Sequence, residues 1–110
     1  MVEITDEEIK EIVENITLNM FNVGADKSNF KILKMLPTDL KTVMMELNLT
    51  KMPVNTRLNE LEKAGLVKRI KGTGKVISTV MTENFRELIN NIENKVEEEI
   101  KLKCGNCKVT

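Results

Sequence analysis

The stretch that decides the fold is residues 48–69, NLTKMPVNTRLNELEKAGLVKR. It begins with Asn48, a residue that tolerates the left-handed backbone of a tight helix end, and Thr50 then offers a helix N-cap. Gly65 is typical of the position just after a helix. The apolar residues between these signals recur at helical spacing and are Val54, Leu58 and Leu61. The stretch therefore predicts a tight turn followed by a helix with one buried face.

Three more helices are predicted before this one. The first covers about residues 6–21, where capping residues are followed by apolar positions at helical spacing. Asp26 or Ser28 caps the second helix, and Thr38 caps the third. The third helix and the helix of the deciding stretch are separated only by the turn at Asn48, which makes them a helix-turn-helix pair.

A hairpin and a long helix are predicted after it. Residues 66–70 and 76–80 alternate in the manner of strands, and the glycine-containing residues 71–75 join them. Thr82 is expected to cap the last helix. The apolar positions of that helix lie three or four apart and are Phe85, Leu88, Ile89, Ile92, Val96 and Ile100. This seam is longer than a small core can cover, which predicts a homodimer through the first and last helices. Parallel and antiparallel pairing both remain open.

The fold class expected from these elements is mostly α with a small β-hairpin. One domain covers residues 1–103, since 110 residues suit one core. It divides into an N-terminal helix (1–25), a central unit (26–81) and a C-terminal helix (82–103), followed by a tail at 104–110.

The pattern from Asn48 to Val67 resembles the winged helix-turn-helix repressors, especially the arsenic-repressor-like (ArsR) and antibiotic-resistance-repressor-like (MarR) families. In those families a turn residue and a leucine precede a Ser or Thr cap, and Leu-x-x-Ala-Gly-Leu-Val leads into the wing, as in residues 61–67 here. The resemblance implies a winged helix with N-terminal and long C-terminal dimerisation helices. It also implies a sequence-specific transcription regulator that binds double-stranded DNA.

Composition argues against several other classes. The chain contains no histidine, the commonest general base, and no serine–histidine–acid set, P-loop or dinucleotide pattern, so we expect no enzyme. No apolar run reaches the roughly 20 residues that cross a bilayer. The acidic start MVEITDEEIK does not resemble a secretory signal, and a cytoplasmic location is expected.

The net charge of zero hides an uneven distribution. Residues 1–26 carry one base and seven acids, a net of −6, whereas residues 27–81 carry eleven bases and four acids, a net of +7. Residues 82–110 carry five bases and six acids, a net of −1. A basic centre between acidic flanks indicates that a polyanion meets the middle of the chain.

The candidate DNA contacts lie on the outer face of the deciding helix and on the hairpin. Asn and Arg can make bidentate contacts with base edges, Thr can contribute a hydroxyl or methyl contact, and Lys neutralises phosphate. The predicted contact residues are Lys51, Asn55, Thr56, Arg57, Asn59, Lys68, Arg69, Lys71, Thr73 and Lys75. The alternative is a winged helix that serves as a protein–protein interaction module, since a fold alone does not fix function.

The tail carries Cys104 and Cys107 in a CxxC pattern. One such pair is half of a structural zinc site, which two chains of a dimer could complete as four thiolates. A redox-sensitive disulfide and a passive chain end are the other interpretations. No other cofactor is expected.

Overall fold

The computed structural model describes residues 3–104. Five helices and three short strands follow one another along this part of the chain. In order they are α1 (Asp6–Gly24), α2 (Lys27–Met35), β1 (Thr38–Asp39), α3 (Leu40–Leu47), α4 (Lys51–Lys63), β2 (Val67–Arg69), β3 (Lys75–Ser78) and α5 (Val80–Lys103). The predicted class, mostly α with a small hairpin, is confirmed.

The sheet has one strand more than the sequence predicts. Its order is β1-β3-β2, and both pairings are antiparallel. β1 contributes only two residues, and Thr38 pairs with Val76 in β3. The Leu40 backbone N–H also donates to the Gly74 carbonyl at 2.9 Å. A two-residue strand has no periodicity to detect, so only its partner β3 reveals it.

The core surrounds α4. Val54, Leu58 and Leu61 are fully buried on its inner face, as their spacing predicts. The other buried hydrophobic residues come from nearly every element and are Ile32, Leu33, Leu36, Val43, Ala64, Leu66, Val67, Val76 and Phe85. The turn before α4 has the expected geometry, because Asn48 adopts a φ of 53° and Leu49 N–H donates to the Met44 carbonyl at 3.0 Å.

Two predicted caps are displaced. Thr38, the predicted cap of α3, lies in β1 instead, and its hydroxyl is buried without a partner among the described residues. Asp39 caps α3 and accepts from Thr42 N–H at 2.8 Å. Both residues of β1 pair with β3, so α3 begins only at Leu40, and the residue directly before it, Asp39, takes the N-cap position.

The start of α5 is also earlier than predicted. Thr79 is its N-cap and Thr82 is the third helical residue, and the two form a reciprocal capping box. The Thr79 hydroxyl donates to the Gly65 carbonyl at 2.8 Å, and the Thr82 hydroxyl donates to the Leu66 carbonyl. Both threonines therefore attach the start of α5 to the turn that follows α4.

The two terminal helices extend away from the core. The radius of gyration is 17.7 Å, whereas a compact chain of this length has about 13 Å. Phe85 and Ile89 of the predicted seam pack on the core. The later seam residues Ile92, Val96 and Ile100 are about half exposed to solvent. α1 shows a similar row, formed by Ile9, Ile12, Val13 and Ile16. Both helices thus carry apolar surface that residues 3–104 leave uncovered.

Helix α1 is longer than the expected 6–21 and ends at Gly24, which packs against α5. A Cβ built on Gly24 would lie 2.7 Å from Phe85 Cζ and 3.0 Å from Leu66 Cδ1. The Phe85 ring is buried between the rings of Phe21 and Phe30, with centroids at 5.4 and 6.3 Å. A glycine is therefore required by the close approach of α1 to α5. Within residues 3–104, no helix has the length and apolar character needed to cross a membrane.

We predict that Gly24→Ala destabilises the protein. Alanine favours a helix over glycine by about 0.5–1 kcal/mol. Overpacking a rigid core costs about 1–3 kcal/mol, so the clash with Phe85 should outweigh the gain and leave a net destabilisation of about 1 kcal/mol. Urea unfolding measures the difference. Asn22→Ala, an exposed change in the same turn, is the control and should be neutral or slightly stabilising. A Gly24→Ala protein as stable as its parent would contradict the proposed packing.

Candidate nucleic-acid interface

The outer face of α4 is polar and free of acids near its N-terminus. Burial of Val54, Leu58 and Leu61 fixes the rotation of the helix, so the opposite face points to solvent. Toward the N-terminus this outer face exposes Lys51, Met52, Thr56 and Asn59, with Asn55 half-buried at its edge, and Glu60 and Lys63 follow near the C-terminal end. No acidic residue lies in the first turn of α4. This face differs from the sequence prediction in two residues: Arg57 is predicted there but turns toward α2, and Met52, which is 80% exposed, is not among the predicted contacts.

The N-cap of α4 is at Thr50, as predicted, but its side chain makes no capping hydrogen bond. Pro53, the third helical residue, has no N–H, so one of the two backbone donors that usually bond a cap side chain is missing here. Thr56 is exposed on the outer face and donates its hydroxyl to the Met52 carbonyl at 3.1 Å.

Arg69 joins the hairpin to α4. Its guanidinium donates to Asn59 Oδ1 and to Asn55 Oδ1, both at 2.8 Å. Its backbone N–H donates to Glu62 Oε2 at 2.9 Å. Side chains alternate along β2, so Val67 and Arg69 share the face toward α4, whereas Lys68 is exposed on the other face. Three of the predicted contact residues, Asn55, Asn59 and Arg69, thus form one hydrogen-bonded cluster.

Arg57 lies apart from that cluster. Its guanidinium donates to Asp26 Oδ1 at 2.9 Å and to Asn29 Oδ1 at 3.3 Å, at the start of α2. Asn29 is itself buried and donates to the Val23 carbonyl at 3.0 Å. Sequence periodicity places Arg57 beside the outward residues, but the structure uses it to tether α4 to α2. Helical spacing could not predict this contact, because Asp26 is 31 residues away from Arg57 in the chain.

The hairpin forms a short cationic wing. A loop at residues 70–74 joins β2 to β3, and both Gly72 and Gly74 adopt positive φ, at 77° and 72°. Thr73 closes the loop, because its hydroxyl donates to the Ile70 carbonyl at 2.9 Å and accepts from Lys75 N–H at 3.1 Å. Lys71 and Lys75 are exposed on either side of it. Thr73 therefore shapes the wing, and the lysines supply its charge.

Two aspartates that cap helices near this interface have lowered pKa values. Hydrogen bonding from the Asn29 backbone N–H is the main cause that lowers the pKa of Asp26, and the positive charge of Arg57 adds to it. Hydrogen bonding from the Thr42 backbone N–H lowers the pKa of Asp39. Both carboxylates are held ionised, so both remain negative close to the basic centre.

Cys104 is exposed at the C-cap of α5, and its partner in the CxxC pattern, Cys107, lies outside the described residues. Within residues 3–104, no three His, Cys, Asp or Glu side chains are grouped as metal ligands. The zinc and redox interpretations of the tail stay predictions.

Two contributions to this region are missed by sequence reasoning. Glu62 lies among the later acids of α4, away from the end expected to enter a groove, yet its carboxylate holds the β2 backbone against α4. Met52 follows Lys51 on the outer face, and its spacing of three residues from Asn55 is the signal that could have revealed it. Glu62 offers no comparable signal, because its partner is defined only by the packing of the hairpin.

The fold is shared with solved structures. No family model matches the chain, and no curated protein matches it. A homodimeric winged helix-turn-helix DNA-binding domain from Mycobacterium bovis, described as a possible ArsR-family transcriptional regulator, is similar with a TM-score of 0.69 and 17% identity. The similarity covers 86% of this chain and 92% of that one.

Two further structures agree with it. HlyU from Vibrio cholerae has a TM-score of 0.61 and 20% identity over 72% of this chain and 92% of its own. The transcriptional regulator Tm0710 from Thermotoga maritima has a TM-score of 0.62 and 19% identity over 92% and 80%. At such identities the comparison establishes the fold. The chain is a winged helix-turn-helix protein, in which α3 and α4 are the helix-turn-helix pair and β2 and β3 form the wing.

We predict that replacing Asp26 changes how stability depends on pH. Because its folded pKa is lowered, the carboxylate contributes stability that is present above its unfolded pKa, about 3.9. That contribution disappears as pH falls through the lower folded pKa. Asp26→Asn keeps a capping oxygen but removes the charge beside Arg57. The variant should therefore be less stable than its parent near neutral pH, and the two should converge in acid.

Urea unfolding of parent and variant from about pH 7 down to about pH 2.5 tests this. Glu46→Gln, an exposed change on α3, is the control and should alter stability little at neutral pH. A gap between parent and Asp26→Asn that stays constant as the pH falls would contradict the role given to the ionised carboxylate.

Proposed function

We propose that the protein is a homodimeric transcription regulator that binds double-stranded DNA in a sequence-specific manner, and that it is not an enzyme. The observation that carries the proposal is the position of the cationic wing next to the polar outer face of α4. Hydrogen bonds from the Arg69 guanidinium and backbone N–H to α4 hold these two surfaces together.

The two surfaces suit different parts of a DNA duplex, the base edges in the major groove and the phosphate backbone. A major groove is wide enough to admit a helix, and the outer face of α4 offers Asn55, Thr56 and Asn59 to base edges. Lys51, at the start of the same helix, and the two wing lysines can neutralise phosphates. The net charge of +7 over residues 27–81 supports a polyanionic partner. The similar domain from Mycobacterium bovis is itself described as DNA-binding.

A second copy of the chain is the partner proposed for α1 and α5. Each helix carries a row of half-exposed apolar residues beyond the reach of the core, with Ile12 and Ile16 on α1 and Ile92, Val96 and Ile100 on α5. Burying such rows between two copies removes apolar area from water, which is the main driving force of association. The Mycobacterium bovis domain is described as homodimeric. A two-fold dimer would place two α4 helices to read half-sites about one helical turn apart.

We predict that the Lys71→Ala/Lys75→Ala double variant weakens binding to all duplexes about equally. Removing one phosphate contact reduces the slope of log K against log salt by about 0.9, and the proposed dimer loses two lysines from each of its two wings, so the slope should flatten by about 3.6. Fluorescence anisotropy over a series of salt concentrations measures it. The matched control is Lys101→Ala/Lys103→Ala, which removes two charges from the far end of α5 and should leave the slope unchanged.

Replacing residues on α4 should have a different effect. Asn55→Ala, Thr56→Ala and Asn59→Ala are each expected to relax the base preference at particular positions, which selection from random duplex DNA reports. A parent protein that retards no duplex under low salt would overturn the proposed function. It would leave a protein–protein interaction module as the interpretation of this fold.

We also predict that Val96→Lys yields a monomer. A charge in the middle of the apolar row of α5 would have to be buried without a partner in the dimer. Sedimentation should give the parent about twice the 12.5 kDa mass of one chain, and the variant a single chain. Asn94→Lys adds the same charge on the opposite face of α5 and should stay dimeric. A parent that sediments as a monomer at micromolar concentration would contradict the proposed interface.

A further inference from the structure

Arg69, Asn55 and Asn59 form a cluster that determines how α4 presents its amide groups. Asn55 and Asn59 lie four residues apart, so they stand one above the other on the outer face of the helix. The two ends of the Arg69 guanidinium reach them, at 2.8 Å each. Arginine has only donors, so both amides must turn their oxygens toward it. Each Nδ2 group is consequently directed away from Arg69.

The orientation is fixed by the strand as well as by the guanidinium. Arg69 N–H donates to Glu62 Oε2 at 2.9 Å, which ties the β2 backbone to the last turn of α4. Among residues 3–104, the Arg69 guanidinium forms no ion pair, and neither Nδ2 group has a hydrogen-bond partner. The Arg69 guanidinium therefore fixes the orientation of two neutral amides and leaves their Nδ2 groups available as donors.

We propose that Arg69 is a specificity-determining residue that makes Asn55 and Asn59 act as hydrogen-bond donors to guanine. The inference rests on the proposed binding of duplex DNA. A free asparagine reads adenine through a bidentate contact in which its oxygen accepts from N6 and its nitrogen donates to N7. Here each oxygen already accepts a charge-assisted hydrogen bond, so adenine N6 competes with Arg69. Guanine presents only acceptors, O6 and N7, to the outward N–H donors. It therefore does not compete with Arg69 for the amide oxygens.

The matched variants are Arg69→Lys and Lys68→Ala. Lysine keeps the positive charge of Arg69 but lacks the planar fork, so one ammonium cannot hold both oxygens in the same geometry. Lys68→Ala removes one predicted phosphate contact from the neighbouring position of β2, so it should weaken binding to all duplexes alike while the cluster, and with it the base preference, stays intact. Positional effects of Asn55→Ala and Asn59→Ala identify the base pairs that each amide contacts.

Selection of bound duplexes from random DNA, carried out with each protein, is the experiment. The parent and Lys68→Ala should prefer guanine at the contacted positions. Arg69→Lys should shift the preference toward adenine by about fivefold or more, the discrimination of one good bidentate contact. A guanine preference unchanged in Arg69→Lys, or adenine preferred by the parent, overturns the inference while duplex binding stands. A parent that binds no duplex overturns the proposed function itself.

A second pair of variants covers the case in which Arg69→Lys does not fold, which thermal unfolding reveals. Asn55→Asp and Asn59→Asp keep an oxygen for Arg69 and replace the outward donor by an acceptor. They should move the preference at the contacted position from guanine toward cytosine or adenine, whose amino groups donate. If the guanine preference persists, or disappears without a preference for such a donor, the proposed arrangement is wrong.

Discussion

The rest of the structure depends on the burial of one face of α4. Val54, Leu58 and Leu61 have no exposed surface, and interiors are packed too densely to let such a helix rotate. Their burial sets which residues of α4 meet solvent. It also positions the turns at both ends, since Asn48 closes the preceding helix and Gly65 starts the path into β2 at a φ of 82°. The hairpin, the start of α5 and the polar face are all arranged around this helix.

A set of polar links then fixes the neighbours of α4. Arg57 reaches the N-terminus of α2, Arg69 and Glu62 hold the wing, and the carbonyls of Gly65 and Leu66 accept from the threonines that begin α5. Most of these groups are exposed or half-buried, so each contributes modestly to stability. Their larger effect is on geometry, because they determine the distance between α4 and the wing.

The terminal helices α1 and α5 are held by the core at one end only. Only their inner ends belong to the core, where Gly24 lets Phe85 pack between Phe21 and Phe30. Beyond that point α5 continues to Lys103, and Ile92, Val96 and Ile100 are each about half exposed. A helix with that pattern is stabilised mainly by packing of its apolar face against another surface. Charge also distinguishes the N-terminal helix from the centre, since residues 1–26 carry a net charge of −6 and residues 27–81 a net charge of +7.

Local sequence was sufficient to determine the helix-turn-helix pair, the glycine at the end of α4, the hairpin and the outward position of Asn55, Thr56 and Asn59. These features depend on signals within a few residues of one another: helical spacing, caps, and turn residues that accept positive φ. Caps that compete with strand pairing or with another threonine were misplaced, as at Thr38 and Thr82. Only the tertiary structure decided that Arg57 faces α2, that Arg69 binds both asparagines, and that two residues form β1. Each of these depends on a partner distant in the chain, and the spacing of residues in a sequence does not encode which distant surfaces packing will bring together.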